Sequence, residues 1–344
     1  MRVSGTWRRN VLIGAVGGVA LLANLAPSAA FSNGSDGVEL LQQAEAQACS
    51  TSLSEQCASL LHRLDQKSSH LAPEQQQHLH YLQAWQAALR GDFQKSDALI
   101  SSILRASRDA SLRLKAAILQ VNSLSEQSRF EEAFRQLSQV VVSLQDGQDI
   151  ASSVREHGFV VASALYADAG QYELASYYAD EIFKRGLASP GYTCVDDHAR
   201  VAALYGGRKW QGIDPLIAQG IEVCVTERNS LYANGIRYFA ARLDLDRGHP
   251  NEAIALLRKN YSAVQHDGYA PQLAQFDALL ATAYDQTKQP QLARESALAA
   301  IAHGTHNRYA ESISTAYRIL YQVAKQQGDV ASALAYHEKY MTAD

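Results

Sequence analysis

The sequence predicts an all-α solenoid, a stack of helical hairpins recurring about every 40 residues. Three observations predict it. The helix formers Ala, Leu, Gln and Arg are abundant, only seven prolines occur in 344 residues, and no period-2 run of apolar residues is sustained. A bulky residue marks a polar turn at Phe93, Phe130, Tyr172, Trp210, Pro250, Pro290 and Val330, at spacings of 37, 42, 38, 40, 40 and 40. Three residues after these markers stand Ser96, Ala133, Ala175, Ile213, Ala253, Ala293 and Ala333, mostly small, as two closely crossing helices require.

Residues 1–30 read as a secretory signal peptide. Arg2, Arg8 and Arg9 form a basic start, Val11 to Leu25 an apolar core, and Ser28-Ala29-Ala30 a cleavage site before Phe31. The apolar run is 15 residues, short of the roughly 20 that span a bilayer as a helix. That favours a cleaved signal over an anchor, and the absence of a nearby cysteine argues against a lipoprotein. Removing the three arginines moves the formal net charge from −4 to −7. Such a chain has no basic stripe for phosphates, so nucleic acid is not an expected partner.

Residues 31–72 are expected to form an N-terminal cap hairpin, with helices over 37–66 and a linker and helix start at Leu71-Ala72-Pro73-Glu74. Residues 73–344 hold the array of about seven hairpins. Its clearest copies are Leu279-Leu280-Ala281-Thr282-Ala283-Tyr284 followed by Gln289-Pro290-Gln291-Leu292-Ala293, and Leu320-Tyr321-Gln322-Val323-Ala324 followed by Gly328-Asp329-Val330-Ala331. Gly91-Asp92-Phe93 and Gly328-Asp329-Val330 resemble the turn of tetratricopeptide repeats. The resemblance covers roughly residues 75 to 340 and implies a right-handed superhelix. The period exceeds the usual 34, Ile213 departs from the small-residue position, and the usual Trp and Gly of the first helix are missing.

Four cysteines in an exported chain suggest two disulfides, and of the three possible pairings proximity favours Cys49–Cys57 with Cys194–Cys224. In the repeat, Cys194 starts a first helix and Cys224 ends the second, so the antiparallel hairpin sets them side by side. Cys49 and Cys57 flank the turn Ser50-Thr51-Ser52-Leu53-Ser54. Loop entropy gives ~3.7 kcal/mol for the longer link and ~2.6 kcal/mol for the shorter, before any native strain.

No catalytic motif is present: no nucleophile elbow, no phosphate-cradling glycine loop, no H-E-x-x-H helix. No enzyme activity, cofactor or metal is expected. His78 and His80 lie on different sides of a helix, and His303 and His306 are separated by Gly304 with no carboxylate at ligand spacing. Asp196-Asp197-His198 is the most tempting cluster, but it opens a first helix, where carboxylates stabilise the N-terminus by up to about 1 kcal/mol.

Binding is therefore expected in the concave groove lined by the first helices. Counting back from the markers places there Tyr81, Trp85, Asn122, His157, Tyr238, Arg242, Arg318 and Gln322 as candidate ligand contacts. His78, Lys115, Asp168, His198, Asp246, Asp285 and Lys325 share that face. Tyr81 and Trp85, one turn apart, read as an aromatic platform. Arg242 and Arg318 offer donors to carboxylates, and aromatic residues with arginine dominate recognition surfaces. Tyr166, Tyr284 and Tyr321 fall at core positions. Tetratricopeptide proteins that clamp a terminal carboxylate use Lys and Asn in their first repeat, where this chain has Tyr81 and Trp85, so that role is not carried over.

The last helix, Ala333-Leu334-Ala335-Tyr336-His337-Glu338-Lys339-Tyr340, resembles the final helix of the periplasmic sensor region of membrane-anchored GGDEF-type diguanylate cyclases. The resemblance implies a periplasmic sensor module, tethered to the inner membrane where a natural chain continues; a homodimer contact is separately expected through the C-terminal helix. Gly206-Gly207 continues Arg208-Lys209, so no cyclase motif lies in these residues. The alternative is a stand-alone exported scaffold that assembles envelope proteins. Either way the expected partner is a protein, peptide or small molecule in the groove.

Overall fold

The structure, a computed structural model, describes residues 35–46, 49, 55–146, 150–188, 193–304 and 310–342. The expected signal peptide, the turn after Cys49 and His306 lie outside the described residues. Among those residues there are sixteen α-helices and no strand. α1 (Ser35–Ala46) and α2 (Glu55–Gln66) form the first pair. Pro73 then opens α3 (Pro73–Arg90), where its missing N–H is no loss, and the Gln75 side chain accepts from the Ala72 N–H at 2.9 Å.

Six of the seven markers are the first residue of their helix. These are α4 (Phe93–Ala106), α6 (Phe130–Asp146), α8 (Tyr172–Lys184), α12 (Pro250–Asp267), α14 (Pro290–His303) and α16 (Val330–Thr342). The seventh differs. α10 (Ile213–Thr226) starts three residues after Trp210, because Gly212 turns the chain at φ 78° and Trp210 stays in the turn, its indole N–H donating to the Tyr205 carbonyl at 3.1 Å. The partner helices are α5 (Ala110–Glu126), α7 (Ser152–Asp168), α9 (Thr193–Gly206), α11 (Ser230–Asp246), α13 (Ala270–Gln286) and α15 (Ala310–Gln326).

One backbone device repeats at every hairpin. The residue two before each marker takes positive φ: Gly91, Ser128, Gly170, Arg208, Gly248, Lys288 and Gly328. Each left-handed residue closes a Schellman turn, as where the Asp92 N–H donates to the Ala87 carbonyl at 2.9 Å and the Gln289 N–H to the Tyr284 carbonyl at 2.8 Å. After Gly91 and Gly328 comes an aspartate that caps the next helix, Asp92 accepting from the Lys95 N–H and Asp329 from the Ser332 N–H. Gly-Asp thus ends one helix and starts the next.

The residues three after the markers sit at the crossings. All seven are buried, six of them at 1 % exposure or less. Ser96 donates its hydroxyl across the crossing to the Ala84 carbonyl, and Ser163 donates to the Ala175 carbonyl, both at 2.9 Å over 12 residues. The same crossing is bonded in opposite directions in two repeats. Where Ile213 replaces the small residue, Gly220 of α10 supplies the clearance instead: a Cβ there would lie 2.8 Å from Ile236 and 3.2 Å from Asp197.

Each odd-numbered helix from α3 onward packs on the next odd-numbered one, whereas successive even helices make no comparable contact. The odd helices therefore form the inner layer and the even helices the outer. The core is a chain of four clusters running from α1 to α16, not one central mass. Both disulfides are formed, Cys49–Cys57 with Cα atoms 5.4 Å apart and Cys194–Cys224 at 4.6 Å. Such staples fit an exported protein. No described helix is long and apolar enough to cross a membrane.

Candidate functional site

The inner layer carries two different surfaces. In the N-terminal half, Tyr81 and Trp85 of α3 are buried, at 7 % and 4 % exposure. Trp85 stacks on His157 of α7, ring centroids 5.2 Å apart. The two aromatic residues expected as an open platform are thus packed away, because α3 and α7 approach each other over α5. Burial, with the Lys115 charge adding to it, holds the His157 imidazole neutral, its pKa down at about 4. Asn122 is half-buried on α5. Asp168 accepts from the Ser125 hydroxyl at 2.8 Å, yet burial raises its pKa to about 6. His78, at the rim, reaches Glu45 at 3.0 Å and Asp109 at 3.6 Å.

The C-terminal half opens into a cavity of about 230 Å³ whose lining comes from α9, α11, α13 and α15 alone. It brings together Tyr238, Arg242, Asp246 and Arg318 from the sequence expectation, and adds Tyr205 and Glu311. Arg242 is held on several sides. Its guanidinium lies over the Tyr205 ring at 5.1 Å and the Tyr238 ring at 5.5 Å, donates to the Tyr238 hydroxyl at 2.9 Å, and meets Glu311 at 3.0 Å. The Tyr205 hydroxyl donates to Asp246 at 2.6 Å. Burial pushes the Tyr238 phenol up to about 12, with Arg242 opposing. Burial first, and then the bond to Asp246, raises that of Tyr205.

Arg318 is the exception. It is half-buried in the cavity and makes neither a hydrogen bond nor an ion pair among the described residues. At longer range it opposes the burial that raises the Asp285 carboxyl. Gln322 lies half-buried outside the cavity, its amide oxygen without a partner. Lys325 instead lines a second cavity, with Tyr321, Leu334 and His337 between α15 and α16.

Asp196, Asp197 and His198 do not converge. Three consecutive helical residues point about 100° apart, and each meets a different neighbour. Asp196 lies beside Glu156 of α7, Asp197 packs on Gly220 of α10, and His198 on Gly235 of α11, where an added Cβ would stand 2.6 Å from Nε2. Asp196 and Asp197 are buried and His198 is half-buried; the protein packed around its ring holds His198 neutral with its pKa at about 4. Burial, reinforced by Glu156, Asp197 and Glu227, pushes the Asp196 carboxyl far up. The expected charge–dipole role of an ionised Asp196 is therefore not fulfilled; burial wins.

One contact escaped the sequence reading. His303 bonds Asp277 at 2.7 Å, and Asp277 also accepts from the Tyr261 hydroxyl at 2.7 Å, so the carboxylate partner of His303 comes from 26 residues upstream. Among the described residues no group of three His, Cys, Asp or Glu side chains could hold a metal ion.

No protein-family model matches the chain, and no curated protein is similar to it in sequence. Solved structures do share its fold. NprR in complex with its cognate peptide NprX superposes with a TM-score of 0.55 at 11 % identity over 77 % of each chain. A Rap protein complexed with competence and sporulation factor gives a TM-score of 0.55 at 11 % identity, covering 90 % of this chain and 96 % of that one. At such identity the likeness is one of fold: the chain is a tetratricopeptide-like helical array.

Proposed function

We propose that the chain is a peptide-binding repeat module that receives its ligand on the inner face of α9, α11, α13 and α15. The observation that carries this reading is the cavity lined by those helices alone, where Arg242 is fixed between two tyrosines and Arg318 makes no ion pair among the described residues. An array of this fold holds its cognate peptide in the NprR complex, and another is complexed with competence and sporulation factor in Rap, which supports a peptide over other ligands. The expected export signal and the disulfides support a periplasmic location. The last helix, with its likeness to diguanylate cyclase sensor regions, supports a role as the input part of such a signalling protein.

Photo-crosslinking tests the site directly. A benzoylphenylalanine placed at Thr282, in the cavity, is expected to capture members of a random hexapeptide pool. The same group at Glu295, on the outer helix α14, is expected to capture none. Equal capture at both positions, or capture at Glu295 alone, overturns the assignment.

A further inference from the structure

We infer that the cavity over α11, α13 and α15 is a carboxylate-binding site, in which Glu311 holds the place of the ligand's carboxylate on Arg242. This deepens the peptide reading and rests on it for the source of the carboxylate.

Among the cavity's charged side chains, Arg242 and Glu311 form the one ion pair. Asp246 accepts from the neutral Tyr205 hydroxyl and Glu311 pairs with Arg242, while Arg318 makes neither a hydrogen bond nor an ion pair among the described residues. A half-buried guanidinium with no ion pair among the described residues, drawn only at longer range by Asp285, favours an anionic ligand, because unmade charged hydrogen bonds cost desolvation. The group already seated on Arg242 shows which anion fits: a carboxylate, 3.0 Å from Nη2. The two partners of that pair are unequal. The Arg242 side chain is 28 % exposed and fixed by two rings and a hydroxyl, whereas the Glu311 side chain is 71 % exposed.

An ion pair with one partner so exposed contributes little, so Glu311 is readily displaced. Arg318 stands seven residues further along α15, on the same face of the helix as Glu311. A ligand carboxylate that reaches both arginines gains a charge-assisted contact to Arg318 that Glu311 does not make. Gln275, Gln286 and Thr315 line the same space and offer neutral donors and acceptors to the rest of the ligand. A peptide C-terminus, an acidic side chain or a small carboxylic acid could each bring the group.

Anisotropy with fluorescein-labelled hexapeptide pools separates these sources. One pool carries free C-termini and no acidic residues, a second is the same but amidated, and a third is amidated with Asp and Glu allowed; succinate is titrated by calorimetry. The expected result is that one or both carboxylate-bearing pools bind at least about tenfold more tightly than the neutral amidated pool. Arg318→Ala is expected to remove that preference. Glu311→Gln is expected to tighten binding by about two- to fivefold. Neither side chain is buried, and unchanged unfolding midpoints confirm intact variants.

Equal binding of the neutral amidated pool, or affinities unmoved by both substitutions, overturns the carboxylate site and leaves the peptide reading standing. Succinate binding that depends on Arg318, with no peptide bound, keeps the carboxylate site and removes the peptide. No binding of any of the four overturns both.

Discussion

Trp85 on α3 stacks on His157 on α7, their ring centroids 5.2 Å apart, although α5 lies between the two helices in the inner layer. The contact joins two inner helices that are not neighbours in the layer, whereas the cavity with Arg242 and Arg318 lies in the C-terminal half. It also buries an imidazole that must stay neutral. Its folded pKa of about 4 lies below the ordinary value of 6.5, so the unfolded chain binds the extra proton first as pH falls. Stability is therefore full above pH 6.5 and is lost as pH drops from 6.5 toward 4. His198 acts with the same sign. Urea denaturation at pH 7 and pH 5 is expected to show a loss that is smaller in His157→Phe, which keeps the stack but cannot titrate. An equal loss in both proteins would remove His157 from the account.

Asp196 has the opposite sign. Its folded pKa is raised by burial and by Glu156, so the folded chain keeps a proton that the unfolded chain releases. The stability it contributes is present below the unfolded pKa near 3.9 and falls as pH rises toward the folded value. Asp196→Asn should therefore gain over the native chain as pH rises from 5 to 8, with a slope of at most about 1.4 kcal/mol per pH unit. A constant difference across that range contradicts the protonated carboxyl.

The hairpin turns give a backbone test. Gly248 has φ 78°, and nothing lies within 4 Å of an added Cβ, so Gly248→Ala isolates the cost of the left-handed conformation. It is expected to destabilise by about 1 kcal/mol. Lys288, at φ 58° in the equivalent turn, already bears that cost, and Lys288→Gly is expected to stabilise by roughly 0.5 kcal/mol after the unfolded chain's added freedom is subtracted. Changes of the reverse sign in thermal unfolding would refute the shared turn.

Ala293 is fully buried where α13 and α14 cross. Ala293→Leu adds volume to a crossing with no room to expand and should cost about 1–3 kcal/mol. An unchanged unfolding midpoint would mean that the crossing lies elsewhere.

The repeat was legible because side-chain size is written in the sequence. Phe93 to Val330 mark the turns, and Ala133 to Ala333 mark the crossings, whatever the superhelix does. The inner face was legible only where curvature leaves it open. Arg242 and Arg318 were found by counting back from the markers, and both line the cavity. Tyr205 is legible by the same rule, since it stands five residues before Trp210, the register that Asp285 and Lys325 hold before Pro290 and Val330. Tyr81 and Trp85 were misjudged because their burial depends on how closely α3 approaches α7 over α5. That distance is set by the sum of several interhelical angles, which no local pattern encodes. Glu311 left no signal, since its meeting with Arg242 joins residues two repeats apart.

Hydrogen–deuterium exchange, with and without a bound hexapeptide from the pool, tests the central claim that the inner face of the array carries the binding. The account predicts added protection in α11, α13 and α15, and none in the outer helices α12 and α14. Protection centred on the outer helices, or confined to the start of α9 around Asp196, Asp197 and His198, would contradict it.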